Sequence, residues 1–335
     1  MDQQKKLYVA AGGLAVVLGL LFVQRQSQQE EADQHSAEGL AASLPQFDVT
    51  EEQVKAVDRI VLKVPAKEAE ENVEAKPGGE VELVKTGDEA WELKSPLSAK
   101  ANASNVKSLL DNLPKLKVRE AISTGNDDYE RWGVTEEKAL HATFFTGEEK
   151  VLEAFFGDSG SRGQMTRLAG HDGVYAAKGY SKWLYERDAK GWRDKSMFKF
   201  DDKEVVKVTI DNENGSFVFD KNGDDWTGAF NGGAIKDFKS SKVGDLLRAY
   251  KSLSAMDFGD DKKPADVGLE KPKAVVTVEL TGGKAVHKLE VGGEAEGSNR
   301  WAVTNGSPQI YAISSWSADW ATAEPSKFQE TKSEG

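Results

Sequence analysis

The chain has 335 residues, 39% of them hydrophobic and 30% charged, which suits about two soluble domains with a highly charged surface. A net charge of −12, with lysines interleaved among acids, excludes the basic stripe that nucleic-acid binding needs to displace phosphate counterions. The lack of cysteine excludes disulfides, thiolate catalysis, Cys-ligated metals and a lipoprotein anchor.

The first element is apolar. Leu7 to Val23, LYVAAGGLAVVLGLLFV, carries no charge, and as a helix it would reach roughly 26 Å, the short end of a bilayer crossing. Lys5 and Lys6 precede it; Arg25, then Glu30, Glu31 and Asp33, follow. The positive-inside rule therefore sets residues 1–24 as a cytoplasmic tip and transmembrane helix, with the bulk of the chain periplasmic, outside a bacterial inner membrane. QRQSQQEE after the apolar core is a poor signal-peptide cleavage site, so the span is expected to be retained. Ala11, Ala15 and Gly19 fall four apart. The plain reading is that small residues are common in short spans; the sharper one is a face on which a membrane partner's helix docks. Residues 25–50, rich in Gln, Glu, Ala and Ser, read as a polar linker.

Residues 51–200 read as a first domain. DRIVLKV alternates as a strand. GEVELVKTGDEAWELKSP is a hairpin turning at Gly87-Asp88 and ending at Pro96. In NASNVKSLLDNL, Val106, Leu109, Leu110 and Leu113 share a helical face, with Asn102 or Ser104 as the cap. A strand pair around Gly147, another around His171-Asp172-Gly173 and a short helix at KGYSKWLYE complete the unit. Residues 201–328 repeat this order, with hairpin turns expected at Asn214-Gly215 and Asn222-Gly223, a helix at SSKVGDLLRAYKSLSA, a turn at Gly282-Gly283 and a closing helix at SWSADW. A disordered tail is expected at 329–335. The charged insertion AKEAEENVEAKPGG lengthens the first copy and reads as a loop.

The two copies keep a nearly fixed register. Positions 226 and 91 (both Trp) differ by 135, as do 268 and 133 (the Gly of VGL and of WGV) and 292 and 157 (Gly in EVGG and in FFGD). Tyr311 and Tyr175 are 136 apart, and KVGDLLRAYKSL follows NVKSLLDNLPKL at 137. So long a period means tandem domains, each with its own core. The fold class expected is α+β: two tandem, mostly antiparallel sheet-plus-helix domains after an N-terminal transmembrane helix. Features in both copies serve the fold; features in one are candidates for function.

The chemical motifs are weak. DKNGDDW lacks the Gly and Glu that a calcium loop requires at its sixth and twelfth positions, and a hairpin turn explains it. GDSGSRG has Ser161 where a nucleophile elbow needs Gly. The histidines, His35, His141, His171 and His287, have no metal-site spacing. No catalytic, metal or cofactor residue is expected. Repeat-equivalent Trp91 and Trp226 are assigned to the cores, and Trp183 and Trp320 to the packing of the closing helices. Trp132, Trp192 and Trp301 remain as surface contacts, and the interaction candidates are Arg131, Trp132, Arg187, Trp192 and Arg193. RDAKGWRDK, with Arg187, Asp188, Arg193, Asp194 and Lys195, reads either as a salt-bridge cluster fixing the units or as an anion or partner site.

The anchor, WELKSP with the following NVKSLLDNL helix, the WGV turn, GVYAA and the junction WRDKSMFKFDDKEVVKVTI together make the chain similar to an uncharacterised bacterial family, domain of unknown function 4340. The resemblance spans residues 1–210, and the second copy extends it. It implies an anchored extracytoplasmic protein, often encoded beside ABC transporters of the type linked to gliding motility, and it implies no catalytic residues. The expected function is a non-catalytic accessory or scaffold subunit of an ABC-type transport or motility-related complex, with membrane-protein partners such as the transporter subunits. The alternative is a periplasmic or surface glycan-binding module using exposed tryptophans.

Overall fold

The computed structural model describes residues 44–67, 75, 77–283, 285–305 and 307–330. The stretch at 7–23, its Ala11, Ala15 and Gly19, and most of the charged insertion lie outside the described residues. Among the described residues, no helix is long and apolar enough to cross a membrane. The chain divides into two compact units between Arg193 and Asp194.

The first unit opens with helix α1 (Glu51–Ala56) and strands β1 (Arg59–Val64), β2 (Gly79–Lys85), β3 (Trp91–Ser95) and β4 (Ala99–Lys100). Helix α2 (Ala103–Leu110) leads to β5 (Lys117–Ser123), then β6 (Leu140–Thr146), β7 (Glu149–Gly160), β8 (Gly163–Leu168) and β9 (Val174–Lys178). Short helices α3 (Lys182–Tyr185) and α4 (Ala189–Trp192) close it. The nine strands lie in the order β4-β3-β2-β1-β6-β7-β8-β9-β5, and every pairing is antiparallel. Two four-stranded meanders thus meet at β1 and β6, and β5 fills the far edge.

The second unit repeats this strand for strand. Its strands are β10 (Val205–Asn212), β11 (Gly215–Asn222), β12 (Asp225–Phe230), β13 (Gly233–Ala234), β14 (Asp257–Phe258), β15 (Ala274–Leu280), β16 (Val286–Glu294), β17 (Arg300–Thr304) and β18 (Tyr311–Ile313). Their order, β13-β12-β11-β10-β15-β16-β17-β18-β14, matches position for position. Helix α5 (Ser241–Tyr250) answers α2, and α6 (Ser315–Ala321) answers α3. Trp91 pairs with Lys85, and Trp226 with Lys221; Tyr175 pairs with Thr166, and Tyr311 with Ala302. The tandem repeat is therefore a repeat of topology and of register.

Alternation along the strands gives each sheet two faces. On one, Ile60, Leu62, Val81 and Leu83 pack with Val106 and Leu109 of α2; in the second unit Val208, Ile210, Phe217 and Phe219 pack with Val243, Leu246 and Tyr250 of α5. Asn102 caps α2 by accepting the Asn105 N–H at 3.0 Å. The other face is covered where the chain returns from the edge strand to the sheet centre. Val134 and Trp132 cover Met165, Val174 and Ala176 in the first unit, and Val267 and Leu269 cover Ile310 and Trp301 in the second.

Several local expectations shift. Asn212 pairs with Gly215 and Asn222 with Asp225, so the hairpin loops are Glu213-Asn214 and Gly223-Asp224, each one residue from the expected Asn-Gly pair. The Asn212 side chain causes the first shift: it accepts the N–H groups of Asn214 (2.8 Å) and Gly215 (3.2 Å), closing the turn early. In the second, Gly223 takes the first loop position with φ +63°. Trp320 is buried, but Trp183 is 82% exposed, against the expectation that it packs its helix. Helix α3 has only four residues, and Tyr185 takes its inner face. By place in the helix, Trp183 corresponds to Trp316, itself 52% exposed. At the C-terminal end, Gln329 bridges to Phe238 and the Glu330 N–H donates to Asp237 O (3.1 Å), so ordered contacts continue past Phe328.

One contact recurs with the same dimension. A β-carbon on Gly157 would lie 2.3 Å from the Trp132 carbonyl oxygen; on Gly292 it would lie 2.3 Å from that of Val267. Both glycines sit where the ladder register slips, between Phe156 and Ser159 and between Val291 and Glu294. The turns above them contain Gly133 (φ +64°) and Gly268 (φ +72°). A side chain must push the turn off the bulge, so Gly157→Ala and Gly292→Ala should each cost about 1–3 kcal/mol or more. Hydrogen exchange by mass spectrometry should show faster opening confined to the substituted unit; unchanged protection would contradict the contact.

Candidate functional site

One face of the first sheet carries a polar cluster. His141, Phe155 and Arg167 are cross-strand neighbours on β6, β7 and β8. The His141 ring stacks on Phe155 at 4.0 Å, and Arg167 Cζ lies 3.6 Å from the Phe155 centroid and 4.9 Å from that of Tyr129. Arg167 Nε donates to Val134 O at 3.1 Å, holding the return turn. The Glu153 carboxylate accepts from His141 Nε2 at 2.8 Å and from Lys150. Burial alone would raise the Glu153 pKa, but the Lys150 and His141 hydrogen bonds outweigh it and hold the carboxyl below its usual range.

A hydroxyl is also present: Thr143 Oγ1 lies 3.3 Å from His141 Nε2. A nucleophile relay uses the two imidazole nitrogens separately, one toward the hydroxyl and one toward the carboxylate. Here both contacts fall on Nε2, so the geometry orients a ring and does not activate Thr143. The matching positions in the second unit are Val275, Glu290 and Val303, so the cluster is peculiar to the first. Sequence spacing concealed it, because His141 and Glu153 meet only through the β6–β7 register.

The interaction candidates separate. Arg131 is exposed, with its Cζ 5.0 Å from the half-buried Trp132 ring, which lies on the return turn. Trp192 is fully buried in the first core and Arg193 is nearly so, correcting their reading as surface contacts. The cause is local: Asp188 caps α4 by accepting the Gly191 N–H at 2.7 Å, the Trp192 carbonyl accepts the Asn102 N–H at 2.7 Å, and Arg193 bridges to Ala101. The segment is thereby stitched to the start of α2 with Trp192 inward. Arg187 lies over that ring at 5.7 Å. Trp301, on β17, is half-buried beneath the return turn, against Val267 and Ile310.

One recess among the described residues is a groove of about 340 Å³ between α1, the β2–β3 turn and α2, lined by Trp91 with Lys55, Lys85 and Lys107 and with Asp88, Glu89 and Asp111. Its balanced charges select no ligand class. Ser159 of the glycine-rich GDSGSRG turn donates to Gln164 Oε1 at 2.7 Å, a structural contact. Among the described residues no three His, Asp or Glu side chains gather as a metal cage.

His287 replaces the Leu152 of the first unit in the ladder and stacks on Phe200 at 5.2 Å. Burial disfavours its imidazolium and lowers its pKa from the ordinary 6.5. The unfolded chain then binds the proton more readily, so the stability of the second unit should fall as pH drops below about 6.5. His287→Leu should flatten that dependence in denaturant melts between neutral and mildly acid pH. In contrast, Trp192→Ala should cost the first unit about 3–5 kcal/mol, while Arg131→Ala should stay within about 0.5 kcal/mol in the same melts.

The description of one family, Domain of unknown function (DUF4340), matches residues 91–272 and again residues 239–333. No curated protein and no solved structure matches the chain. The first match runs from β3 into the second unit and the second covers α5 to the end of that unit, in keeping with a duplicated architecture, and the chain belongs to the family of domain of unknown function DUF4340.

Proposed function

We propose that the chain is a single-pass protein of the bacterial inner membrane whose two units lie outside the cytoplasm. It acts without catalysis, as an accessory or scaffold subunit of an ABC-type transport or motility-related complex. The carrying observation is the uncharged run at 7–23 with Lys5 and Lys6 before it, a pattern that places the following domains across the bilayer. Ala11, Ala15 and Gly19 offer a partner helix a close approach. The transport or motility setting rests on the family resemblance. The groove beside Trp91 and the His141 cluster, whose two contacts share one nitrogen, fit a binding role better than a chemical one.

A glycan-binding module is the second reading. The observation favouring it is that Trp183 and Trp316 stand exposed at the second position of equivalent helices, since exposed indoles can stack on sugar rings.

In-cell crosslinking with mass spectrometry tests the first reading, comparing the native chain with one whose residues 1–24 are replaced by a cleavable signal peptide. Crosslinks to integral-membrane transporter subunits are expected with the native chain, and their loss from the anchorless one would place recognition in the span. No crosslinked membrane protein in either form would overturn the scaffold reading, and a tryptophan fluorescence response to peptidoglycan or polysaccharide fragments would then favour the glycan module.

A further inference from the structure

Positive charge gathers at one place on the first unit. Lys117 of β5 and Lys178 of β9 are direct cross-strand partners, an arrangement that like-charge repulsion disfavours. Gly179 follows, packed so closely that a β-carbon on it would lie 2.2 Å from the Lys115 carbonyl oxygen. Lys182 then opens α3, and Trp183 stands beside it. All four lysines are exposed. Lys182 lies 3.7 Å from Glu186, whose nearer cation is Lys67 at 2.8 Å. In a chain of net charge −12, four exposed lysines and an exposed indole thus fall along one edge of the unit, on the run into β5, on β5 and β9, and at the start of α3.

The second unit shows that the fold does not require them. Leu116 and Glu120 correspond to Leu253 and Asp257, which sets Lys115 and Lys117 against Ser252 and Ser254. The β9 and β18 registers set Lys178 against Ser314, and the first residue of each closing helix sets Lys182 against Ser315. Each lysine of the patch has a serine in the other copy.

The patch also marks where the described chain begins. The Gln46 amide donates to Val118 O (3.1 Å) and its Oε1 accepts the Val118 N–H (3.0 Å), on the edge strand next to Lys117. Phe47 stacks on Phe156, which touches Tyr180 and Tyr185 around α3. Residues 24–43 separate this point from the uncharged run at 7–23, and even fully extended they reach at most roughly 70 Å.

We infer that Trp183 with Lys115, Lys117, Lys178 and Lys182 is a contact of the first unit with an anionic phospholipid surface, an inference that rests on the anchored reading above. Ammonium groups are drawn to a negative headgroup layer, and an indole settles at its boundary with the acyl chains. The negative surface relieves the Lys117–Lys178 repulsion, and the contact sets which side of the unit faces the membrane.

The full chain is reconstituted into phosphatidylglycerol–phosphatidylcholine vesicles or phosphatidylcholine vesicles, each containing lipids brominated near the headgroup. Tryptophan quenching reads the patch and resistance to alkaline extraction reads the anchor, so either can fail without the other. Quenching should be stronger in the anionic vesicles, and the excess should fall with added salt. It should be lost in Trp183→Phe and in the quadruple variant Lys115→Ser, Lys117→Ser, Lys178→Ser, Lys182→Ser, whose serines the second unit already accommodates. Equal quenching in both vesicles, or an excess that survives Trp183→Phe, overturns the lipid contact while alkali-resistant chain keeps the anchor. Extraction of the chain by alkali overturns the anchor. Protection of Trp183 by soluble glycan fragments and not by lipid overturns the contact in favour of the glycan module.

Discussion

A backbone oxygen sits where a side chain would otherwise be, and it does so twice. After filling the far edge of the sheet, the chain must cross back to the centre before β6 or β15 can pair. The crossing turn rests on a bulge in the neighbouring strand, where Gly157 or Gly292 leaves room for the carbonyl of Trp132 or Val267. Bulges carry an extra residue and an unpaired stretch of ladder, and here the Asp158 N–H donates to the Trp132 carbonyl at 3.1 Å. If the turn could not dock, the second meander would lack one covered face and the return to the centre would lose its fixed path. This geometry explains why the two glycine pairs keep one spacing while insertions elsewhere slide the copies apart.

Other shared tasks are met by different residues. Each unit must tie its main helix to its closing helix across a buried gap. In the first, Tyr185 on α3 donates to Asn112 Oδ1 at 3.0 Å, and the Asn112 amide donates on to Gly179 O. In the second the direction is reversed: Tyr250 on α5 donates to Ser317 O of α6 at 2.8 Å. Burial raises the pKa of both phenols well above the ordinary value, so each remains a donor at any physiological pH. One buried tyrosine serves each unit from opposite partners, so residue-by-residue alignment misses the equivalence that topology shows.

Much of the architecture was legible because it depends on periods. Alternation in DRIVLKV and the apolar spacing of Val106 and Leu109 located β1 and α2, and the near-constant offset exposed the duplication. What was not legible depends on partners far away in sequence. The edge strands β4, β5, β13 and β14 are short or highly charged and become strands only through neighbours supplied later in the chain. The Asn-Gly turns moved by one residue because a side chain, Asn212, outcompeted the local preference. Trp192 looked free because nothing in RDAKGWRDK marks it as apolar core; its burial follows from Asn102 and Ala101 pairing with the same segment. The His141–Glu153 contact was invisible for the same reason.

Comparison of the copies therefore informs most at the surface. A core position must be apolar in both units whatever either does, so agreement there carries no functional weight; the buried Leu152 is answered in the ladder by a half-buried His287. An exposed position is under no such demand. Four exposed lysines at one edge of the first unit, beside an indole that the fold leaves in solvent, answer to serines in the second, of which Ser314 caps α6 by accepting the Ser317 N–H. The stability of an exposed face is nearly indifferent to single changes, so a concerted difference there points to what the face meets. In the proposed reading, the first unit, which the linker joins to the anchor, meets the bilayer through this edge, and the second unit carries serines at the matching positions.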